Sequence, residues 1–190
     1  MTGDPSEADA SSRRGVLRAA CAGLAGLAVA GCGKTTLRAQ VNNSGAVLDT
    51  DVAVLNHLLH LERVGIAAYT AGTPLLAPAT VNAGTLFLND ELAHASALGA
   101  LIKAAGAEPG KPAPSYDLGH PRNSQEVLAL MHEIEQMQIA AYLSALPRLS
   151  PGTVKQSLAA ILANDAQHLA VVRAALGEPA VPSAFVTGRE

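Results

Sequence analysis

The sequence contains the segment ERVGIAAY at residues 62–69 and a related segment, EQMQIAAY, at residues 135–142. The two segments align without gaps and share the initial Glu and the block Ile-Ala-Ala-Tyr. A second pair of segments has nearly the same separation along the chain, ELAH at residues 91–94 and DAQH at residues 165–168. The chain therefore contains an internal repeat, and each copy carries acidic residues and a histidine at corresponding positions.

Four stretches around these segments show helical periodicity, and none shows the alternation of a half-buried strand. They lie at residues 50–71, 78–106, 124–146 and 152–176, and Gly or Pro follows each of them. Three helix starts carry capping signals, which are Thr50 or Asp51 for the first helix, Asn123 with Glu126 for the third, and Ser150 followed by Pro151 for the fourth.

The lengths of the connections restrict how these helices pack. The connections at residues 72–77 and 147–151 are short, so the helices that they join must run antiparallel. The middle connection, residues 107–122, could extend over roughly 50 Å at about 3.3 Å per residue. Because a 23-residue helix is only about 35 Å long, this connection can run the full length of the helices. We therefore predict an all-α four-helix bundle in which two antiparallel hairpins are joined by a long crossover.

Six residues that can bind metal ions stand where apolar residues are expected on the inward stripes of the helices: Glu62, Glu91, His94, Glu135, Asp165 and His168. Counted from the hairpin turns, the four acids lie roughly 20 to 24 Å along their helices, near the middle of the bundle. Four carboxylates in an apolar interior carry a large desolvation penalty unless protons or cations neutralise them. Two divalent ions would cancel four negative charges, and each His would supply a nitrogen ligand from the same helix face as its acid.

The order Glu, Glu-x-x-His, Glu, Asp-x-x-His on successive helices resembles the di-metal carboxylate site of the ferritin-like superfamily. The resemblance covers residues 50–176, and secreted ferritin-like proteins with a Tat leader are the most similar members. It implies two divalent metal ions, iron or manganese, with Glu62 and Glu135 as terminal ligands, Glu91 and Asp165 as bridging ligands, and His94 and His168 as nitrogen ligands. Asp165 departs from the family pattern, which has Glu there. Because Asp is one methylene shorter, bridging by Asp165 would need a closer helix, a water molecule or the loss of one metal ion.

Two tyrosines, Tyr69 and Tyr142, follow their Glu residues by two helical turns on the same face. They could hydrogen-bond a ligand carboxylate or reduce an oxidised intermediate. Alternatively, both are core aromatic residues with a satisfied hydroxyl group.

The first 31 residues have the layout of an export signal. Arg13 and Arg14 precede a small apolar run at residues 19–30, and the arginine pair resembles the twin-arginine signal of the Tat pathway. The run is too short to span a membrane as a helix. Residues 29–32 resemble a lipobox, in which Cys32 is acylated and becomes the first residue of the mature protein. This leader predicts export and a lipid anchor on the outer face of the cell membrane, or secretion if Cys32 is not acylated.

The leader and the helices together define four parts of the chain. These are an export signal at residues 1–31, a flexible tether at 32–48, the bundle at 49–178 and a C-terminal tail at 179–190.

Composition excludes several other functions. The formal net charge is −3, only five residues are Phe, Tyr or Trp, and the basic residues are scattered, so no nucleic-acid partner is expected. Both cysteines lie in the first 32 residues, which excludes a disulfide-stapled fold and a Cys-rich zinc site in the rest of the chain.

Two functions of different classes remain open. In the first, the metal pair reacts with oxygen or peroxide, and the protein is an oxidoreductase of the ferroxidase, peroxidase or catalase type. In the second, the protein is a lipid-anchored stress or scaffold protein whose metal site is vestigial. A homodimer is compatible with either function, since such bundles commonly pair.

Overall fold

The computed structural model describes residues 47–150 and 152–190, and in these residues the secondary structure is entirely helical. The four long helices are α1 (Asp49–Gly72), α2 (Val81–Ala104), α3 (Ser124–Ala145) and α4 (Thr153–Leu176). Short 3-10 helices, Thr73–Leu75 and Leu146–Arg148, follow α1 and α3. The predicted all-α fold is confirmed. The predicted export signal, with Arg13, Arg14 and Cys32, lies outside the described residues, as do most of the tether and Pro151.

The two hairpin turns lie at opposite ends of the bundle. The carboxylate of Asp51, at the start of α1, accepts hydrogen bonds from the backbone N and the hydroxyl of Ser150 in the turn between α3 and α4. At the other end, the hydroxyl of Ser124, at the start of α3, accepts a hydrogen bond from the backbone N of Ala77 in the turn between α1 and α2. Each of these two helices therefore starts beside the end of the other, so α1 and α3 run antiparallel. The predicted pair of hairpins is confirmed.

The crossover between α2 and α3 is fixed to the side of α1. The backbone N of Gly110 donates to the Asn56 side chain at 2.7 Å, and the Arg63 guanidinium donates to the Gly110 carbonyl at 2.6 Å. The crossover thus begins beside the first half of α1 and ends at Ser124, near the turn that follows α1. It runs along the bundle, as its length predicts.

One of the three predicted helix caps is present. The Asn123 side chain accepts a hydrogen bond from the backbone N of Glu126, so the predicted cap on α3 is confirmed. The Glu126 carboxylate accepts a bond from the backbone N of Arg122, one residue before the position that a capping box requires. The predictions for α1 and α4 were wrong. Leu48 precedes the first helical residue of α1, and Asp51 binds Ser150 instead of capping.

Helix α4 begins later than predicted, because Gly152 occupies the position before its first residue with φ 112°. This left-handed backbone favours glycine. Ser150 therefore lies outside the helix and has its contacts with Asp51.

Two apolar clusters form the core, one towards each end of the bundle. The first contains Leu55, Leu58, Leu98, Ile102, Tyr142 and Leu158 among others, and the second contains Tyr69, Phe87, Val127, Met131 and Val172 among others. On every helix, the predicted metal ligands lie in sequence between the residues of the two clusters. The core thus leaves one polar layer in the middle of the bundle.

The C-terminal tail packs against the second hairpin. The side chain of Arg173, on α4, donates to the Pro179 carbonyl at 2.9 Å and pairs with Glu178 at 3.1 Å. The Gln136 side chain, on α3, donates to the backbone carbonyl oxygen of Glu190. In residues 47–150 and 152–190, no helix is both long enough and apolar enough to cross a lipid bilayer.

Candidate metal centre

The polar layer brings together all six residues that the sequence predicts as metal ligands. Each helix contributes one carboxylate, and α2 and α4 each add a histidine. The four carboxylate residues have no exposed surface, and the exposed fractions of His94 and His168 are only 8% and 1%. In α2 and in α4 the acid and the histidine stand three residues apart, and this spacing directs both side chains to the same interior face.

The ligand atoms fall into two groups that share one residue. Glu91, Glu135, Asp165 and His168 form the first group, and Glu62, His94 and Asp165 form the second. In each group, the candidate ligand atoms all lie within 4.8 Å of one another. Asp165 belongs to both groups, so its shorter side chain does reach the position that a bridging ligand requires. Its role as a ligand stays a prediction.

The distances around the two histidines show how close the groups are. The Nδ1 atom of His94 lies 3.3 Å from Glu62 Oε2 and 3.4 Å from Asp165 Oδ1. The Nδ1 atom of His168 lies 3.3 Å from Glu135 Oε1. Each Nδ1 atom therefore faces carboxylate oxygens of its own group.

The buried atoms in this layer fit a bound cation. Seven atoms of the six candidate ligands have no hydrogen-bond partner, namely Glu62 Oε2, Glu91 Oε1, His94 Nδ1, Glu135 Oε2, Asp165 Oδ1, Asp165 Oδ2 and His168 Nδ1. Buried polar atoms without partners are rare in folded proteins, because each one loses its interaction with water and gains nothing in return. Carboxylate oxygens and imidazole nitrogens are ligands for iron, manganese and zinc. The cluster is therefore compatible with a metal site.

Both predicted tyrosines hydrogen-bond a carboxylate of the cluster, and each bonds the one from the other hairpin. The Tyr69 hydroxyl, on α1, donates to Glu135 Oε1 on α3 at 2.5 Å. The Tyr142 hydroxyl, on α3, donates to Glu62 on α1. Both tyrosines are fully buried. One oxygen of each Glu is thus held by a phenol, and the other oxygen has no hydrogen-bond partner.

Three residues around the cluster were not predicted. The Nε2 atom of His168 lies 3.2 Å from the Asp90 carboxylate, and the His168 ring stacks on Phe87 with a centroid distance of 4.0 Å. The side chain of Gln138 donates to Glu91 Oε2 at 2.7 Å. A signal for Gln138 was present, since it stands three residues after Glu135 as a polar residue on an apolar stripe. Asp90 carries no such signal, because its contact depends on how α4 packs against α2.

Burial and mutual repulsion control protonation in the cluster. Desolvation, together with the neighbouring carboxylates, raises the pKa of Asp165 to about 10. Desolvation also raises the pKa values of Glu91 and Glu135. Burial alone would lower the pKa of His168, but the adjacent carboxylates of Glu135 and Glu91 raise it to about 10. Without a metal ion, the cluster therefore retains protons at neutral pH.

The tyrosines remain protonated for the same reason. Burial and the adjacent carboxylates raise the pKa values of Tyr69 and Tyr142 well above the ordinary value of 10.0. Their hydroxyl groups can therefore act as hydrogen-bond donors throughout the neutral pH range.

We predict that the free energy of unfolding of the metal-free protein falls as the pH rises from about 6.5 to 9. Asp165 and His168 both bind their protons more tightly in the folded chain than in the unfolded chain, where the ordinary values of 3.8 and 6.5 apply. The folded state therefore holds more protons over this range, and each group lowers stability by up to about 1.4 kcal/mol per pH unit.

Urea denaturation across this pH range measures the effect. Asp165→Asn, which removes one titrating group, should flatten the dependence. A stability of the metal-free protein that stays constant or rises with pH would contradict the prediction.

Comparison with known proteins identifies the family. A family model described as a ferritin-like domain matches residues 34–178. A conserved hypothetical protein, rv2844, from Mycobacterium tuberculosis has a similar crystal structure, with a TM-score of 0.65 and 18% sequence identity over 72% of this chain and 96% of that chain. At this identity the likeness shows the fold alone. A search of curated protein sequences found no significant match. Because the family model matches more than half of the chain, the protein belongs to the ferritin-like domain family.

Proposed function

We propose that the protein binds two divalent redox-active metal ions, iron or manganese, in the buried carboxylate and histidine cluster. The observation that carries this proposal is the set of seven buried ligand atoms that have no hydrogen-bond partner. In the metal-free protein, protons held by Asp165 and His168 would neutralise part of the carboxylate charge. Two divalent ions would satisfy all seven atoms and balance four negative charges.

The two groups of ligands assign a role to each residue. Glu62, His94 and Asp165 would hold one ion, and Glu91, Glu135, Asp165 and His168 would hold the other. Glu91 Oε1 lies 3.9 Å from His94 Nδ1, so Glu91 would reach the first ion as well and act, like Asp165, as a bridging ligand. Tyr69 and Tyr142 would orient the two carboxylates that are not shared, because each donates a hydrogen bond to one of their oxygens. Their phenol rings are also oxidisable.

A bound iron or manganese pair would supply two one-electron redox centres for reaction with oxygen or peroxide. The chain itself supplies a dry, rigid setting, since the ligands lie between two apolar clusters. Oxidation of ferrous iron, reduction of peroxide and disproportionation of peroxide all fit this arrangement. The second function, a stress or scaffold protein with a vestigial site, predicts that the cluster holds no metal.

Metal content per chain tests the proposal. We predict close to two iron or manganese ions per chain after refilling, as measured by elemental mass spectrometry, and a clear reduction in His168→Ala. The matched control is His57→Ala, which changes an exposed histidine of α1 that is not in the cluster. Two ions per chain would justify assays with oxygen and peroxide. Near-zero metal content that His168→Ala does not change would overturn the proposal and favour the vestigial site.

The two metal positions differ in their surroundings. His168 is nearly fully buried, stacks on Phe87 and contacts the Asp90 carboxylate through Nε2. Asn164 occupies the position in the second hairpin that corresponds to Asp90. Among the described residues, no corresponding hydrogen bond joins Asn164 to His94. A carboxylate behind a metal-binding histidine fixes its ring and strengthens it as a ligand.

We predict that Asp90→Ala weakens binding of one of the two metal ions by roughly 10-fold or more. Asn164→Ala is the matched control and should leave both affinities unchanged. Isothermal titration calorimetry of the metal-free protein with Mn²⁺ measures both affinities. If both substitutions weaken Mn²⁺ binding equally, then Asp90 is not what makes the two metal positions different.

We also propose that the protein is exported through the Tat pathway and anchored to the outer face of the membrane by lipid on Cys32. The arginine pair and the lipobox-like residues 29–32 support this proposal. The Tat pathway carries folded proteins, so the bundle could acquire its metal ions before export.

Substitution of both arginines tests the export proposal. We predict that Arg13→Lys combined with Arg14→Lys blocks export, as followed by cell fractionation. Arg18→Lys is the control, because Arg18 lies in the leader outside the pair. Cys32→Ser should release the exported protein from the membrane. Normal export of the double variant would eliminate the Tat pathway.

A further inference from the structure

The internal repeat is broken at one inward position beside the cluster. Gly65 stands three residues after Glu62, and Gln138 stands three residues after Glu135. The four residues that follow, Ile-Ala-Ala-Tyr, are identical in the two copies. The smallest residue and a long polar residue thus occupy equivalent places in two otherwise similar helices.

Gln138 holds one oxygen of a predicted bridging ligand. Its side chain is fully buried, and its Nε2 atom donates a hydrogen bond to Glu91 Oε2 at 2.7 Å. This bond joins α3 to α2. A buried amide that donates to a carboxylate lowers the cost of keeping that carboxylate out of water.

Gly65 leaves the space in which this bond forms. A Cβ atom at position 65 would lie 2.3 Å from Glu91 Oε2 and 3.0 Å from Gln138 Nε2. Any side chain at this position would therefore displace Glu91 Oε2 and crowd Gln138 Nε2. Glycine inside a helix is less favourable than alanine, and Gly65 lies well inside α1. The contact between Glu91 and Gln138 explains why the residue at position 65 has no side chain.

The bond makes the two predicted bridging carboxylates different. Glu91 has one oxygen bound to Gln138 and one, Oε1, without a hydrogen-bond partner. This Oε1 atom lies 3.9 Å from His94 Nδ1 and 3.7 Å from His168 Nδ1, almost equally far from both. Asp165, by contrast, has two oxygens without hydrogen-bond partners.

We propose that Gln138 is a positioning residue that restricts Glu91 to a single metal-binding oxygen shared by both metal positions, and that Gly65 is required for it. Asp165, whose two oxygens have no hydrogen-bond partner, would keep both of them for metal binding. This inference rests on the proposed metal pair and adds to it the way in which the two bridging residues divide their roles.

Two substitutions break the same hydrogen bond by different means. Gln138→Leu removes the donor at similar volume, and Gly65→Ala places a methyl group against Glu91 Oε2 while Gln138 stays intact. The metal-free full chain is titrated with Mn²⁺, and electron paramagnetic resonance records whether the bound ions are magnetically coupled. We expect both variants to bind the second Mn²⁺ roughly 10- to 100-fold more weakly than the unsubstituted chain. We also expect them to lose the spectrum of a coupled pair at equal metal loading.

The control is Gly72→Ala, which adds the same methyl group to the same helix away from the cluster. A Cβ atom at position 72 would lie 2.7 Å from a methyl carbon of Val127, so this variant tests the steric cost alone. It should keep the coupled pair. If Gln138→Leu does not fold, the result for Gly65→Ala alone still tests the positioning role of Gln138.

Two outcomes separate this inference from the proposal on which it rests. If the unsubstituted chain binds a coupled Mn²⁺ pair and Gly65→Ala binds it with the same affinity and coupling, then Gln138 only stabilises the fold and the positioning role is wrong. If the unsubstituted chain binds no Mn²⁺, the proposed metal pair itself fails.

Discussion

The burial of four carboxylate groups at one level of the bundle is the constraint on which the rest of the structure depends. Glu62, Glu91, Glu135 and Asp165 have no exposed surface, and each ion that leaves water costs several kcal/mol before it finds a partner. Two phenols, one amide and the two histidines surround these carboxylates, yet seven ligand atoms still have no hydrogen-bond partner. A core that serves only stability would place leucine at these positions, because apolar packing usually costs less than a buried charge.

The internal repeat supplies a symmetrical scaffold, and the differences between its copies fall around the cluster. Glu91 corresponds to Asp165, Asp90 corresponds to Asn164, and Gly65 corresponds to Gln138. The first pair differs in side-chain length by one methylene, and the other two pairs differ in the number of oxygens or hydrogen-bond donors near the cluster. The two groups of candidate ligands are therefore chemically distinct although the helices that hold them are alike.

The sequence predicted the helices and the six candidate ligands because both follow from periodicity along a single helix. The spacing of Glu91 from His94 and of Asp165 from His168 needs no knowledge of the partner helix. What the sequence did not predict depends on contacts between helices. Asp51 looked like a helix cap but binds Ser150 from the opposite hairpin, and Asp90, which no sequence pattern marked, contacts His168. The same limit applies to Tyr69 and Tyr142, for which hydrogen bonds to carboxylates were one of two alternatives and whose partners lie across the bundle.

These contacts between hairpins mean that docking of the hairpins and assembly of the cluster are one event. The group formed by Glu62, His94 and Asp165 takes two residues from the first hairpin and one from the second. The other group takes Glu91 from the first hairpin and three residues from the second. Neither hairpin alone presents a complete set, and each terminal Glu is held by a tyrosine of the other hairpin. The crossover can therefore act as a tether, while the polar layer decides the register in which the hairpins meet. A shift of one helical turn between α1 and α3 would separate both tyrosines from their carboxylates and leave those charges buried without these partners, which is strongly destabilising.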